Sequence, residues 1–351
     1  MDYYGFREVQ RDSHKNKQLE IKSFAEIISP ANLFSAWRDF KVGKKNKRDV
    51  AEFELNLEDN MFQLHDDLRN GLYRHSDYSS FFVRDPKLRL IHKAAVCDRV
   101  LHHALTRALE PVFEKIFIFD SYSSRKNKGT HRAIARFRCL AWRLSANNTK
   151  TVWILKGDIR KYFASVNQEI LFALLKKKIN DEQLLRLIRE IIFSHHNPAG
   201  QGIPLGNLTS QLFSNIYLNE LDEYVKRKLG VKNYVRYADD FVIMSRDLNE
   251  LKRWLDQINE FLKIQLQLET HPAKTGFRRW HQGLDFLGYI IFPHYVILRA
   301  KTRKRMFKKM KAKQAEYLAG KINLKSLSQT RQSYLGLLSH ACGRVVAIHL
   351  P

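Results

Sequence analysis

Asp239 and Asp240 stand side by side between two apolar runs, and Asp158 closes a third such run. Adjacent carboxylates on a tight turn repel each other, and each loses hydration on burial unless a cation is near. A hard divalent ion would relieve both effects, because Mg²⁺ prefers carboxylate oxygens and keeps positions open for water and phosphate. With Asp158 as a third acid, the set could hold two ions about 4 Å apart. Such a pair can activate a hydroxyl nucleophile and steady a leaving pyrophosphate during in-line displacement at phosphorus. Aspartates are also ordinary turn residues. The surroundings therefore decide whether these three form a site.

The elements around them follow from hydrophobic period. Residues 151–156 form a β-rich run ending in Gly157-Asp158, and residues 234–245 read as strand, tight turn and strand with the turn at Ala238-Asp239-Asp240. Helical spacing covers residues 98–113, 168–192, 209–229 and 248–261. Strands are expected at 266–269 and around 287–291 and 295–298. Upstream, residues 23–73 read as helices broken by a basic loop at 41–48, and 81–83 and 88–91 as two strands joined by Asp85-Pro86-Lys87. That order predicts an α+β fold with helices packed on one face of an antiparallel sheet.

The 351 residues carry a formal charge of +25, which favours a polyanionic partner, nucleic acid foremost. Residues 299–313 hold nine basic residues and no acid, with Met306, Phe307 and Met310 at helical spacing. They read as a docked helix whose Lys304, Arg305, Lys308 and Lys309 face a phosphate backbone. There is no apolar run long enough to cross a bilayer, and residues 1–17 are too polar for a secretory signal. Three scattered cysteines suit reduced thiols in the cytoplasm. The pairs His102-His103 and His195-His196 read as structural, since neighbours on a helix point in different directions.

Tyr237-Ala238-Asp239-Asp240 resembles the Tyr-x-Asp-Asp box of reverse transcriptases, and Asp158-Ile159-Arg160-Lys161-Tyr162-Phe163 is similar to their first palm motif. Between the two, residues 203–211 (Ile-Pro-Leu-Gly-Asn-Leu-Thr-Ser-Gln) resemble the nucleotide-positioning motif. Pro86-Lys87-Leu88-Arg89 and Ser121-Tyr122-Ser123-Ser124-Arg125 are similar to fingers motifs, and Phe286-Leu287-Gly288-Tyr289 to the primer grip. The resemblance implies a right-hand polymerase that adds deoxynucleotides to a primer 3′-hydroxyl on an RNA template. It implies an N-terminal extension and fingers over 1–150, and a ferredoxin-like palm with an antiparallel sheet over 151–298. A fingers-associated helical segment would lie near 168–200, and a short helical thumb over 299–351.

Roles carry over residue by residue. Asp158 and Asp239 would ligate two Mg²⁺ ions, with Mn²⁺ able to substitute, helped by the Ile159 carbonyl and by Asp240. Lys87 and Arg89 would grip the triphosphate, and Phe163 would bar a ribose 2′-hydroxyl. Lys274 would protonate the leaving pyrophosphate. Leu205, Gly206 and Gln211 would shape the nascent base pair, Phe286 to Tyr289 would place the primer terminus, and Arg125 with the basic helix would contact nucleic acid.

Most reverse transcriptases read Pro-Gln-Gly and then Ser-Pro, where this chain has Pro204-Leu205-Gly206 and Ser210-Gln211. Those departures resemble the enzymes of diversity-generating retroelements, as do Gly129-Thr130-His131 and Gly336-Leu337-Leu338-Ser339-His340. That likeness implies careless copying of template adenines, a dedicated structured RNA and a small basic helical accessory protein oligomer. Antiphage-defence reverse transcriptases are the alternative. A non-catalytic RNA binder that kept the fold is the other, and it would not need the acids together with Lys87, Arg89 and Phe163.

Overall fold

The computed structural model describes residues 21–84, 87–195 and 200–341. At its centre is a four-stranded antiparallel sheet of β3 (Trp153–Asp158), β4 (Tyr234–Tyr237), β5 (Asp240–Ser245) and β6 (Gly276–Arg279), in the order β4-β5-β3-β6. The strands are short, and β-branched, aromatic and other apolar residues fill most of their buried positions, as a sheet covered on both faces requires. Alternation sorts the two faces. Leu155, Tyr234, Phe241 and Ile243 enter the larger core, and Ile154, Val235, Val242 and Met244 a second one.

The larger core is helical. It gathers α1 (Phe24–Ile28), α2 (Pro30–Lys41), α3 (Arg48–Leu55), α4 (Leu57–Arg69) and α5 (Val96–Phe113). On the sheet side it takes in α7 (Tyr162–Ser165), α8 (Gln168–Lys176), α9 (Glu182–Phe193), α10 (Leu208–Glu223) and α11 (Leu248–Gln265). Asp181 caps α9 through Gln183 and Leu184, and its other oxygen takes the Phe24 amide at 2.7 Å, tying the first helix to this layer. The second core lies on the opposite face. It is built by α6 (Thr130–Leu144) and the three-stranded sheet β7 (Leu284–Phe286), β8 (Tyr289–Ile291) and β9 (Val296–Leu298), with α12 (Ala300–Leu318) and α13 (Leu324–Leu338).

The α+β expectation holds, but helices do not keep to one face of the sheet, since α6, α12 and α13 belong to the second core, and there are local differences besides. The helical stretch 168–192 is two helices, because Asp181 starts a new one. The strand expected at 266–269 is instead irregular chain that follows α11: Leu266 and Leu268 are both buried, and Gln267 between them has a φ of +50. The fourth strand is β6, whose Arg278 and Arg279 are partners of Ile154 and Trp153. Arginines are tolerated there because an edge strand can face water. Helix α6 was not foreseen, although Ala133, Ile134, Phe137, Leu140 and Ala141 carry its spacing.

Strands β1 (Ser79–Arg84) and β2 (Leu88–Lys93) form a separate hairpin that is exposed along nearly its whole length. Asp85 and Pro86 of its turn lie outside the described residues, as do His196, Cys342 and residues 1–17. Among the described residues no helix is long and apolar enough to cross a membrane.

Candidate active site

All three acids reach one end of the central sheet, Asp158 and Asp240 on the face of the second core and Asp239 in the turn beside them. Asp158 and Asp240 are direct register partners, and Tyr237 pairs with Asp240, so Ala238-Asp239 is a two-residue hairpin turn. Ala238 takes a φ of +51, a left-handed conformation that costs a non-glycine residue roughly 1–2 kcal/mol. Main-chain bonds fix the turn from both sides. The Ile159 amide donates to the Asp239 carbonyl at 3.1 Å, and the His271 amide to the Asp158 carbonyl at 2.6 Å. Gly157 is dictated by its partner: a Cβ there would sit 2.1 Å from the Phe241 ring.

Arg236, unmarked by any sequence signal, holds the turn from beneath. It is wholly buried and forks onto the Asp222 carboxylate at 2.7 and 2.6 Å, while its Nη1 donates to the Ala238 carbonyl at 3.1 Å. A buried arginine is stable only with such a partner. The partner lies on α10, too far along the chain for pattern reading to pair the two.

Burial raises the Asp239 carboxyl above the usual range, and the neighbouring Asp158 adds to it, against the opposing pull of Lys274 and Arg89. Asp240 is pushed up to about 6 by burial, with Lys156 opposing and the other two acids adding to the rise. Two carboxyls that resist ionisation, set beside the carboxyl of Asp158, form the donor chemistry of a hard divalent cation. In their present rotamers they do not converge. Among the described residues no three His, Cys, Asp or Glu side chains meet at metal-binding distance, and the Lys274 ammonium rests on Asp158 Oδ1. The Ile159 side chain is buried in the larger core.

The expected nucleotide-side residues lie on α7, the 203–211 loop, the start of α10 and the β1–β2 hairpin. Phe163 is half-buried, edge-on to Tyr162 at 5.5 Å, and its carbonyl accepts the Ile203 amide at 2.8 Å. The Leu205 carbonyl takes the His92 amide at 3.0 Å, which seats the 203–211 loop on the base of the β1–β2 hairpin. Gly206 has a φ of +123 and would meet the His92 carbonyl at 3.2 Å if it bore a Cβ. Gln211 is exposed on α10. Lys87 and Arg89 are exposed on the hairpin, and the Arg89 charge is felt at Asp239.

The β7–β8 turn is Leu287-Gly288, with φ of +53 and +89 between the paired Phe286 and Tyr289. Positive φ at both central residues is the hairpin turn that matches strand twist, and leucine is an unusual choice for its first position. In α12, Met306 and Met310 are buried and Lys304, Lys308 and Lys309 are exposed, with Arg305 half-buried.

Arg125 belongs to the fold: its guanidinium is forked onto Glu114, it donates to the Ile118 and Ser121 carbonyls, and its side chain is 5 % exposed. The histidine pairs also serve packing. His102 is buried and stacked on His75, His103 meets Phe40 edge-on, and His195 packs against Tyr78 and His92. By contrast, two segments distant in sequence meet. His131 stacks on His340 at 3.5 Å, Thr130 donates to the Tyr237 hydroxyl at 3.3 Å, and Tyr289 donates to the Leu337 carbonyl at 3.1 Å.

Residues 84–291, more than half of the chain, match the family described as reverse transcriptase (RNA-dependent DNA polymerase). Protein YkfC of Escherichia coli K12 is 27 % identical over 267 residues, covering 64 % of this chain and 69 % of that protein. The group II intron-encoded protein LtrA of Lactococcus lactis subsp. cremoris is 23 % identical over 295 residues, covering 64 % of this chain and 48 % of LtrA. Nuclear intron maturase 3 of Arabidopsis thaliana is 24 % identical over 274 residues, covering 68 % of this chain and 37 % of that protein. The chain thus spans about half or less of these two longer relatives. Among solved structures, Candida albicans telomerase in complex with a telomeric RNA fragment aligns with a TM-score of 0.49 at 12 % identity, covering 78 % of this chain and 57 % of that one.

Proposed function

The chain belongs to the reverse transcriptase (RNA-dependent DNA polymerase) family, and from that premise we propose that it extends a primer 3′-hydroxyl with deoxynucleotides on an RNA template. The observation that carries the reading is the placing of Asp158, Asp239 and Asp240 at one sheet end, beside Lys274. A structural surface turn has no use for a buried arginine holding its carbonyl or for carboxyls lifted chiefly by burial.

In this reading residues 1–150 are an N-terminal extension and fingers, 151–298 the palm and 299–351 the thumb. Asp158 and Asp239 would hold two Mg²⁺ ions, with Asp240 completing the negative charge. Bound there, the ions supply Lewis acidity that favours the deprotonated 3′-hydroxyl and the departing pyrophosphate. The protein's own part is placement. Lys87 and Arg89, on an exposed hairpin, close on the triphosphate. The Phe163 ring lines the sugar, and the β7–β8 turn holds the primer end. As the new phosphodiester bond forms and the bond to pyrophosphate breaks, Lys274 donates a proton to the leaving oxygen, from an ammonium already seated on Asp158. The exposed lysines of α12 track the duplex backbone.

The finer reading is a diversity-generating enzyme, error-prone at template adenines and working in the cytoplasm with a structured RNA and a basic accessory oligomer. Its support is Leu205 in place of an amide, and the contact of the 129–131 and 336–340 segments through His131 and His340. The relatives named for introns favour a second reading, in which the same polymerase serves an intron. The test of the activity is direct: the purified chain, an RNA template with an annealed DNA primer, deoxynucleotides and Mg²⁺ should give extended primer. Tight RNA binding with no extension would leave only the non-catalytic RNA binder.

A further inference from the structure

Lys156 lies two residues before Asp158 on β3, so strand alternation places both on one face. That is the face on which β7–β9 packs, since Ile154 and Val242 share a core with Leu284 and Phe286. The Lys156 ammonium donates to the Asp285 carbonyl at 2.9 Å and stands 3.9 Å from Asp240 Oδ1. Asp285 immediately precedes Phe286 and the β7–β8 turn. Its carboxylate is ion-paired with Arg299, and the Arg299 amide donates to the Gly288 carbonyl at 3.0 Å. One run of polar contacts therefore joins the acidic edge to the Leu287-Gly288 turn and to the first residues of α12.

A lysine is a costly way to join two sheets. Its side chain is 21 % exposed, so the ammonium gives up much of its hydration, and an apolar side chain would pack the same gap more cheaply. What only a cation can do there is hold a carboxylate on one side and a carbonyl on the other. We propose that Lys156 is a positioning residue: by tying Asp240 to the β7–β8 turn, it sets where the primer terminus stands relative to the acids. The inference rests on reading that turn as the primer-holding element.

The test uses Lys156→Met, which keeps the length and the apolar stem but removes the charge, and Lys156→Arg, which restores the charge. A template–primer bearing 2-aminopurine at the primer 3′ end reports terminus placement by fluorescence without turnover. Lys156→Met should melt with the parent and bind template–primer equally well, yet change the fluorescence of the terminal base. Turnover should fall about tenfold, the size of one lost hydrogen bond to a charged group, at an unchanged KM for the nucleotide. Lys156→Arg should recover most of both signals. Arg299→Met added to Lys156→Met should cost little more, because both act on the same turn.

Unchanged fluorescence in Lys156→Met overturns the proposal. So does a loss of turnover matched by a fall in melting temperature, an Arg variant no better than Met, or effects of the two variants that simply multiply. A parent that binds the primer but never extends it would overturn the polymerase reading, while the fluorescence still decides the role of Lys156.

Discussion

Asp158 on β3 lies directly opposite Asp240 on β5, and the amide that follows Asp158, that of Ile159, donates to the carbonyl of Asp239 at 3.1 Å. The acids are thus locked by main-chain bonds and do not depend on their own carboxylates to stay in place. Charge can be removed from them without disturbing the frame.

Asp239→Asn should therefore abolish primer extension while leaving the protein folded. Burial and Asp158 raise the Asp239 carboxyl, so its ionised form works against the fold at neutral pH. The amide should leave the melting temperature unchanged or slightly higher. Activity should drop roughly a thousandfold or more, as expected when a group that stabilises charge in the transition state is lost. Incorporation on an RNA template with Mg²⁺, measured beside melting curves, checks both halves. Substantial residual activity would remove Asp239 from the chemistry.

Gly157→Ala tests the register that places Asp158. The added methyl would lie 2.1 Å from the Phe241 ring, with β3 held between β5 and β6 and unable to retreat. Overpacking of this kind costs about 1–3 kcal/mol, and chemical denaturation would read it as a lower midpoint. Gly157→Ala should cost less in a Phe241→Ala background than in the parent, because the clash is specific to the ring, although the truncated ring lowers stability on its own. A Gly157→Ala protein as stable as the parent would mean that the two residues are not partners.

These two cases differ in how far the sequence alone reveals them. The acids were legible because the chemistry and its placement are local: a β-run ending in Asp158 and a two-residue turn at Ala238-Asp239 both show as patterns within a few residues. What pattern reading lacks is the tertiary partner. Arg236 looks like one more basic residue until Asp222 arrives from α10, and β6 looks like a loop because an edge strand can carry Arg278 and Arg279. Leu266 and Leu268 gave a false strand, since alternation appears whenever two buried side chains flank an exposed one. The resemblance implies a nucleic-acid contact for Arg125, and what it cannot show is that Glu114 arrives to hold the guanidinium.

Phe163 is the residue through which sugar choice is testable. Its ring is half-buried at the site edge, and its carbonyl anchors the 203–211 loop through Ile203, a bond that survives any side-chain change. Phe163→Ala should admit ribonucleotides, narrowing the preference for dGTP over GTP by roughly ten- to a hundredfold, the range over which pocket shape alone discriminates. Paired incorporation assays give the ratio. A well-folded variant with the parent's preference would make Phe163 a packing residue.

Leu205 carries the finest of the readings. Its carbonyl is fixed by the His92 amide at 3.0 Å, so the backbone position is set by β2 whatever the side chain. A leucine beside the nascent pair offers shape but no hydrogen bond. A mispaired base then forfeits little, because polar contacts discriminate more steeply than apolar ones. Leu205→Gln supplies an amide at an unchanged backbone position. It should lower misincorporation opposite template adenine by about five- to tenfold, the worth of one hydrogen bond at about 1–1.5 kcal/mol. Slower synthesis is the expected companion, since the loop must now order a longer polar side chain. Sequencing the complementary DNA made on one defined RNA by parent and variant gives error rates at each template base. A parent that copies adenine as faithfully as the other three bases would remove the support for a diversity-generating role. The polymerase reading would stand, because it rests on Asp158, Asp239 and Asp240, which Leu205 does not position.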